Sequence, residues 1–220
     1  MQEDWFELLK ARETASYPPK LLFYRFRGPV MTIGRHTHKE EVYRSHEGSR
    51  LKERTVRRAT GGGAIFHAGG MCYSWISRGK TTRSGRNECV YWLRDMLLAT
   101  LEPLGILGKT RDPRPETRAR TLGSWCAFEE AETDLIIGHK KLGGMAQRLF
   151  KDAILIEGYL TLRRRETIWM ERIAARGILE KHSARPVSLE ELAGRPVHYD
   201  EIVSRFMHIS HDFRTRSCPA

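Results

Sequence analysis

Apolar positions in the first third of the chain fall into short runs and alternations. Leu21 to Arg27 (LLFYRFR) and Val30 to Gly34 (VMTIG) are rich in leucine, aromatic and β-branched residues, and Gly28-Pro29 separates them, which predicts two strands joined by a turn. Val56 to Ala59 and Ala64 to His67 flank a triple glycine, and Met71 to Ser77 (MCYSWIS) alternates as a strand does. From Asn87 the period changes: Val90, Leu93, Leu97, Leu101 and Leu104 recur at three- and four-residue steps, predicting an amphipathic helix that ends near Gly105. Strands resume at Asp134 to Ile137, around Lys141-Leu142, and at Ala153 to Leu162. Helix signals close the chain: Glu166 to Ala175, a capping box at Ser188-Leu189-Glu190-Glu191, and Asp200 to Phe213 with Ile202, Val203, Phe206, Ile209 and Phe213 on one face. The order predicts an α+β fold, a mixed or antiparallel sheet core with helices packed on it, in a single domain over residues 1–220.

Composition narrows the class. Of 220 residues 40% are apolar and 30% charged, enough to bury a core and too apolar for a disordered chain. No run of 18 apolar residues is available for a membrane span, and Met1 to Trp5 lacks the basic-then-apolar layout of a secretory signal. The expectation is a cytoplasmic protein without a membrane partner. Its four cysteines, Cys72, Cys89, Cys126 and Cys218, form no C-x-x-C pair and no zinc spacing, so no metal is expected and the thiols are read as free. A net charge of +11 suits an anionic partner. The basic residues are spread out, densest at Arg50 to Arg58, Arg111 to Arg120 and Arg163-Arg164-Arg165, which favours a solvated basic face over a nucleic-acid site.

Two segments carry chemistry. In Arg57-Arg58-Ala59-Thr60-Gly61-Gly62-Gly63-Ala64-Ile65-Phe66-His67, three glycines let the backbone come close to a ligand and aim N–H groups at an anion or a carbonyl oxygen. Arg57 and Arg58 add charge before them, and His67 ends the following strand, where it reads as a ligand contact or as a core histidine. In Asp134-Leu135-Ile136-Ile137-Gly138-His139-Lys140-Lys141-Leu142-Gly143-Gly144-Met145-Ala146-Gln147, a strand runs into a turn that presents a lysine. Lys141 so placed can hold a carboxylate, a phosphate or an acyl carbonyl; taken alone, such a lysine is more often a surface residue.

Together these segments resemble the lipoate–protein ligase and octanoyltransferase superfamily, which shares a fold with biotin–protein ligase. The pattern R-R-x-[ST]-G-G-G-A-x-x-H is met without a gap at Arg57 to His67, and K-[IVL]-x-G-S-A-[QY] is met at Lys141 to Gln147 with Met145 in place of the serine. Leu22-Phe23-Tyr24-Arg25 followed by Ile33-Gly34-Arg35 is similar to the strand pair that precedes them. The resemblance spans roughly residues 5 to 210.

The resemblance implies a biotin/lipoate ligase-like catalytic domain, with Arg57, Arg58, Thr60, Gly61, Gly62, Gly63, His67, Gly144 and Ala146 as substrate-binding residues. One octanoyltransferase branch places a nucleophilic cysteine fifteen residues before the motif lysine, which here is Cys126 in Trp125-Cys126-Ala127-Phe128. That match implies transfer of octanoate from acyl carrier protein, through a Cys126 thioester, to a lysine of a lipoyl domain or H-protein. Cys126 and Lys141 are the implied catalytic residues and no cofactor is needed. Without that spacing the preferred reading of Cys126 is an inert buried thiol. Two other readings stand beside it: an ATP- and Mg-dependent lipoate–protein ligase, and a non-catalytic relative that only binds the carrier or lipoyl protein. The chain departs from the branch in four places: the usual N-terminal strand and helix are shortened to something like Asp4-Trp5-Phe6-Glu7-Leu8-Leu9, and three further segments differ. Ile156-Glu157-Gly158-Tyr159 stands where Q-H-G-S is usual, His67 to Tyr73 lacks the usual acids, and Met145 sets a long thioether where a small side chain leaves room. Acyl carrier proteins and lipoyl domains being acidic in such systems, the +11 charge then implies a landing surface for acidic proteins.

Overall fold

The computed structural model describes residues 20–38, 54–78, 83–108, 126–127, 131, 133–151, 153–173 and 185–213. Two sheets carry the described strands. The larger is built from β1 (Lys20–Tyr24), β5 (Met71–Arg78), β8 (Ala153–Leu160), β7 (Lys140–Leu149) and β6 (Leu135–Ile137), in that order, with the short β9 (Arg185–Pro186) parallel to β7. The smaller has the order β3 (Thr55–Arg57), β2 (Val30–Ile33), β4 (Ala64–His67). Pairing is antiparallel except for β2 with β3 and β7 with β9. The helices are α1 (Arg83–Leu101), α2 (Arg164–Ile173), α3 (Leu189–Ala193) and α4 (Tyr199–Phe213). The α+β class read from the sequence is the one observed.

The alternation along β5 divides it between two cores. Met71, Tyr73 and Trp75, with Ile154, Ile156 and Leu160 of β8, pack on Val90, Leu93, Leu97 and Leu101 of α1 and on Ile202 and Phe206 of α4. The residues of opposite parity, Cys72 of β5 and Tyr159 of β8, join Met31, Ile33, Ala64 and Phe66 of the smaller sheet. A sheet covered on both faces has no polar side to show to water. The site described below lies on the inner face, between the two sheets.

Helix signals hold up well. The period from Val90 to Leu101 is the buried stripe of α1, which begins at Arg83, earlier than the pattern suggests, and a 3₁₀ turn after it ends at Gly105 with φ +75°. Ser188 caps α3: its hydroxyl accepts from Glu191 N at 3.2 Å and the Glu191 carboxylate accepts from Ser188 N at 3.0 Å. The two strands joined by the Gly28-Pro29 turn lie in different sheets, β1 paired with β5 and β2 with β4. One reading changes. The thiols are not all free: Cys72 and Cys126 are, whereas Cys89 on α1 is disulfide-bonded. The expected loop at 108–120 falls outside the described residues from 109 onward. No helix of the described residues is long and apolar enough to cross a membrane.

Candidate active site

The glycine loop joins β3 to β4, and its conformation is fixed by the two arginines before it. Arg58 is buried, and its Nη2 donates to the carbonyl oxygens of Gly61 at 3.1 Å and Gly63 at 3.0 Å, while its Nη1 donates to Thr32 Oγ1 at 2.8 Å. Arg57 Nη1 reaches back to the carbonyl oxygens of Gly34, Arg35 and Thr37 at 2.9, 2.9 and 3.0 Å. Thr37 in turn donates its hydroxyl to Gly62 O at 2.7 Å. All three glycine carbonyls are therefore claimed by donors from within the protein. Gly62 turns with φ +94°, a conformation open to glycine at little cost. A Cβ on Gly34 would lie 1.7 Å from Gly62 O, so the two backbones pack in direct contact.

Behind the loop the polar groups form a closed chain. Thr32 Oγ1, already accepting from Arg58, lies 2.8 Å from His67 Nε2. His67 Nδ1 faces Cys72 Sγ at 3.4 Å. Burial, and next the charge of Arg58, push the His67 pKa down to about 3, so the ring is neutral at physiological pH. Burial, and next the Glu166 charge, push the Cys72 thiol up, which makes it the inert core residue its strand position suggests. Thr60, fully buried, gives both its N–H (3.2 Å) and its hydroxyl (2.8 Å) to Glu157 Oε2 of β8, tying the start of the glycine loop to the larger sheet.

The lysine segment is the β6–β7 hairpin. Lys141 and Asp134 are each 4% exposed, and Lys141 Nζ lies 2.6 Å from Asp134 Oδ2. The same carboxylate oxygen accepts from Ala131 N at 2.6 Å. Gly144 is glycine for a local reason: a Cβ there would sit 2.4 Å from Asp134 Oδ1 and 3.3 Å from Lys141 Cε. Register sets the faces of β7. Gly144 and Ala146 oppose Tyr159 and Glu157 and so line the inner face, whereas Met145 opposes Gly158 and packs into the helix-side core. The expectation that Met145 crowds the substrate side is thereby corrected, since one step along a strand reverses the face.

Cys126 is where the two segments meet. Its N–H donates to Ala64 O at 2.9 Å, its carbonyl oxygen accepts from Lys141 Nζ at 2.6 Å, and its half-buried Sγ accepts from Gly63 N at 2.8 Å. The sulfur's partner is thus the glycine loop, and the lysine holds the cysteine through its main chain. A half-buried thiol beside a fixed main-chain N–H is an arrangement suited to nucleophilic attack on a carbonyl and to holding the oxyanion that results. Tyr159 borders the same space; burial, followed by the nearby Asp134 and Cys126, raises its hydroxyl pKa well above the usual range. All the residues singled out from the sequence line or brace this one junction, with Arg57, Arg58 and His67 turned onto protein groups. Sequence reasoning gave no role to Thr32 and Thr37, whose only signals are hydroxyls inside an otherwise apolar strand or next to one, and noted Glu157 only as a departure from Q-H-G-S. Among the described residues no cluster of three or more His, Cys, Asp or Glu side chains is placed to hold a metal.

This geometry has relatives. Residues 5–209 match the family described as the lipoyl protein ligase A/B catalytic domain. Octanoyltransferase LipM of Symbiobacterium thermophilum is 32% identical over 158 residues, 66% of this chain and 54% of that protein; Octanoyltransferase LipM of Oceanobacillus iheyensis is 26% identical over 159 residues, 70% of this chain and 56% of that protein. The chain therefore spans about half the length of these curated relatives. Among solved structures, a T. acidophilum protein with bound lipoic acid overlays with a TM-score of 0.71 at 18% identity, covering 95% of this chain and 78% of that one. Lipoate-protein ligase A bound with ATP overlays with a TM-score of 0.68 at 17% identity, covering 90% and 73%. The last two comparisons establish the fold, and the match over nearly the whole chain establishes the family: this chain belongs to the lipoyl protein ligase A/B catalytic-domain family.

Proposed function

We propose that the chain is a catalytic domain that moves an octanoyl group from acyl carrier protein to the acceptor lysine of a lipoyl domain or H-protein, through a thioester on Cys126. The observation that carries this reading is the 2.8 Å contact between Cys126 Sγ and Gly63 N. The Cys126 sulfur attacks the carbonyl of the carrier thioester, the Gly63 N–H holds the oxyanion, and the carrier thiol departs with the proton that Cys126 gives up. In the second half the acceptor amine attacks the Cys126 thioester, an amide forms, and the amine's released proton returns the sulfur to its thiol. A thioester is already activated, so neither half requires ATP, Mg or another cofactor. Lys141, held by Asp134, fixes the Cys126 carbonyl and with it the position of the reacting segment. A carrier-bound donor is an intracellular substrate, and we place the protein in the cytoplasm on that ground.

The ATP-dependent ligase reading asks for cations aimed at phosphates, while Arg57 and Arg58 direct their guanidinium groups at main-chain carbonyls. Intact-mass analysis separates the readings. Incubation with octanoyl carrier protein adds one octanoyl group to the wild type and none to Cys126→Ser. Lipoate-dependent pyrophosphate exchange that survives Cys126→Ser overturns the transferase in favour of the ligase, and carrier binding without any acyl transfer overturns it in favour of a non-catalytic binder.

A further inference from the structure

α2 carries an exposed face that the chemistry at Cys126 does not use. Glu166, Thr167 and Met170 point inward and are buried, while Arg164, Arg165, Ile168, Trp169, Glu171 and Arg172 are exposed. Helical spacing sets Arg164, Ile168 and Arg172 in one row, with Arg165 and Trp169 in the row beside it. Two large apolar side chains, Ile168 at 39% and Trp169 at 41% exposure, thus lie between arginines at both ends of the helix, with Glu171 at one edge. A tryptophan and arginines around an apolar centre is the composition of an interface core.

The helix is also wired to the site. Trp169 stacks on Phe66 of β4 with centroids 5.7 Å apart and planes at 28°. Arg165 donates twice to Ala68 O just after that strand, at 3.3 and 3.1 Å. Two residues back along the same strand, Ala64 O accepts the Cys126 N–H. Met170 packs in the same apolar cluster as Ala64 and Ala127, with Cys126 against it.

We propose that the outer face of α2 is the landing surface for the acidic protein that delivers the acyl thioester to Cys126. The inference rests on the carrier-dependent reading above. Charge complementarity commits the surface to an acidic partner, since three arginines face one glutamate on the helix and the chain as a whole carries +11. A protein partner, unlike a bare anion, also covers Ile168 and the exposed edge of Trp169.

The test uses the full chain with Arg164→Glu/Arg172→Gln, and separately Ile168→Ser, all at exposed positions that make no contact with Cys126. Affinity for octanoyl carrier protein is measured by fluorescence anisotropy, and acylation of Cys126 by the small thioester octanoyl-N-acetylcysteamine is followed by mass spectrometry. The proposal expects carrier affinity to fall about tenfold or more in the double variant at low salt, with the gap closing as salt rises. Acylation by the small thioester stays within twofold of wild type, which shows that the variants are folded. Equal carrier affinity for wild type and variants overturns the proposal, as does a carrier that binds none of them. So does loss of binding to phosphatidylglycerol vesicles instead of to the carrier, which would make the face a membrane contact. Wild-type Cys126 left unacylated by either donor, with the difference in carrier affinity intact, overturns the transferase reading and leaves the docking surface supported.

Discussion

The sulfur of Cys126 and the main-chain N–H of Gly63 face each other at 2.8 Å, although 63 residues separate them in sequence. That contact exists because the Gly61, Gly62 and Gly63 carbonyls are all held from behind by Arg58 and Thr37. Gly62→Ala strikes at it directly: the new Cβ would sit 3.1 Å from Cys126 Sγ and 3.2 Å from Arg58 Nη2, at a φ of +94°. The positive φ costs a non-glycine residue about 1–2 kcal/mol. Thermal unfolding should register that loss, and Cys126 acylation should fall about tenfold or more, beyond what the loss of folded protein explains.

Lys141 and Asp134 form a buried ion pair, and removing one partner leaves the other charge stranded. Lys141→Met or Asp134→Leu alone should cost about 3–5 kcal/mol in urea unfolding. The double variant should cost less than the sum of the two, because no uncompensated charge remains. A double-mutant cycle with simple additivity would sink this account of the pair.

Glu157 Oε2, on β8, accepts two bonds from Thr60. Glu157→Gln keeps an oxygen acceptor and should stay within a few-fold of wild-type acylation. Glu157→Leu leaves the Thr60 donors buried and unmet, at about 1–3 kcal/mol, and should lower the maximal rate more than the carrier KM. Equal behaviour of the two variants would remove Glu157 as a positioning residue.

Glu166 gives a pH signature. Burial, opposed by Arg165 and by main-chain and charge contributions of Arg163, pushes its pKa up from 4.5 to about 8. The folded state then keeps a proton that the unfolded chain gives up, so between roughly pH 4.5 and 8 this group makes stability fall as pH rises. One proton corresponds to a slope of at most about 1.4 kcal/mol per pH unit. Urea midpoints at pH 5, 6, 7 and 8 should show that decline in the wild type and a flatter profile in Glu166→Gln.

Much of this was legible beforehand because the determinants are local. The α1 stripe, the Ser188 capping box and the strand that begins at Ala64 follow from spacing alone. The triple glycine and Lys141 stand out as residue types with few other uses. What the sequence hid depends on partners far along the chain. Arg57 and Arg58 read as ligand-facing cations until the carbonyls they hold are known, and those belong to segments up to 23 residues away. The face taken by Met145 turns on the pairing of β7 with β8, and the separation of β1 from β2 turns on which sheet each joins. β9 is two residues long, one of them proline, and carries no strand pattern of its own.

Cys126 hangs its N–H on Ala64 of one sheet and its carbonyl on Lys141 of the other. The peptide units on either side of the reactive sulfur are thus a crossbar between two separately hydrogen-bonded layers. With the Thr60 bonds to Glu157, that bar is one of the ties by which the two layers hold each other in place. The alignment of the layers and the position of the reactive sulfur are accordingly set by the same main-chain bonds.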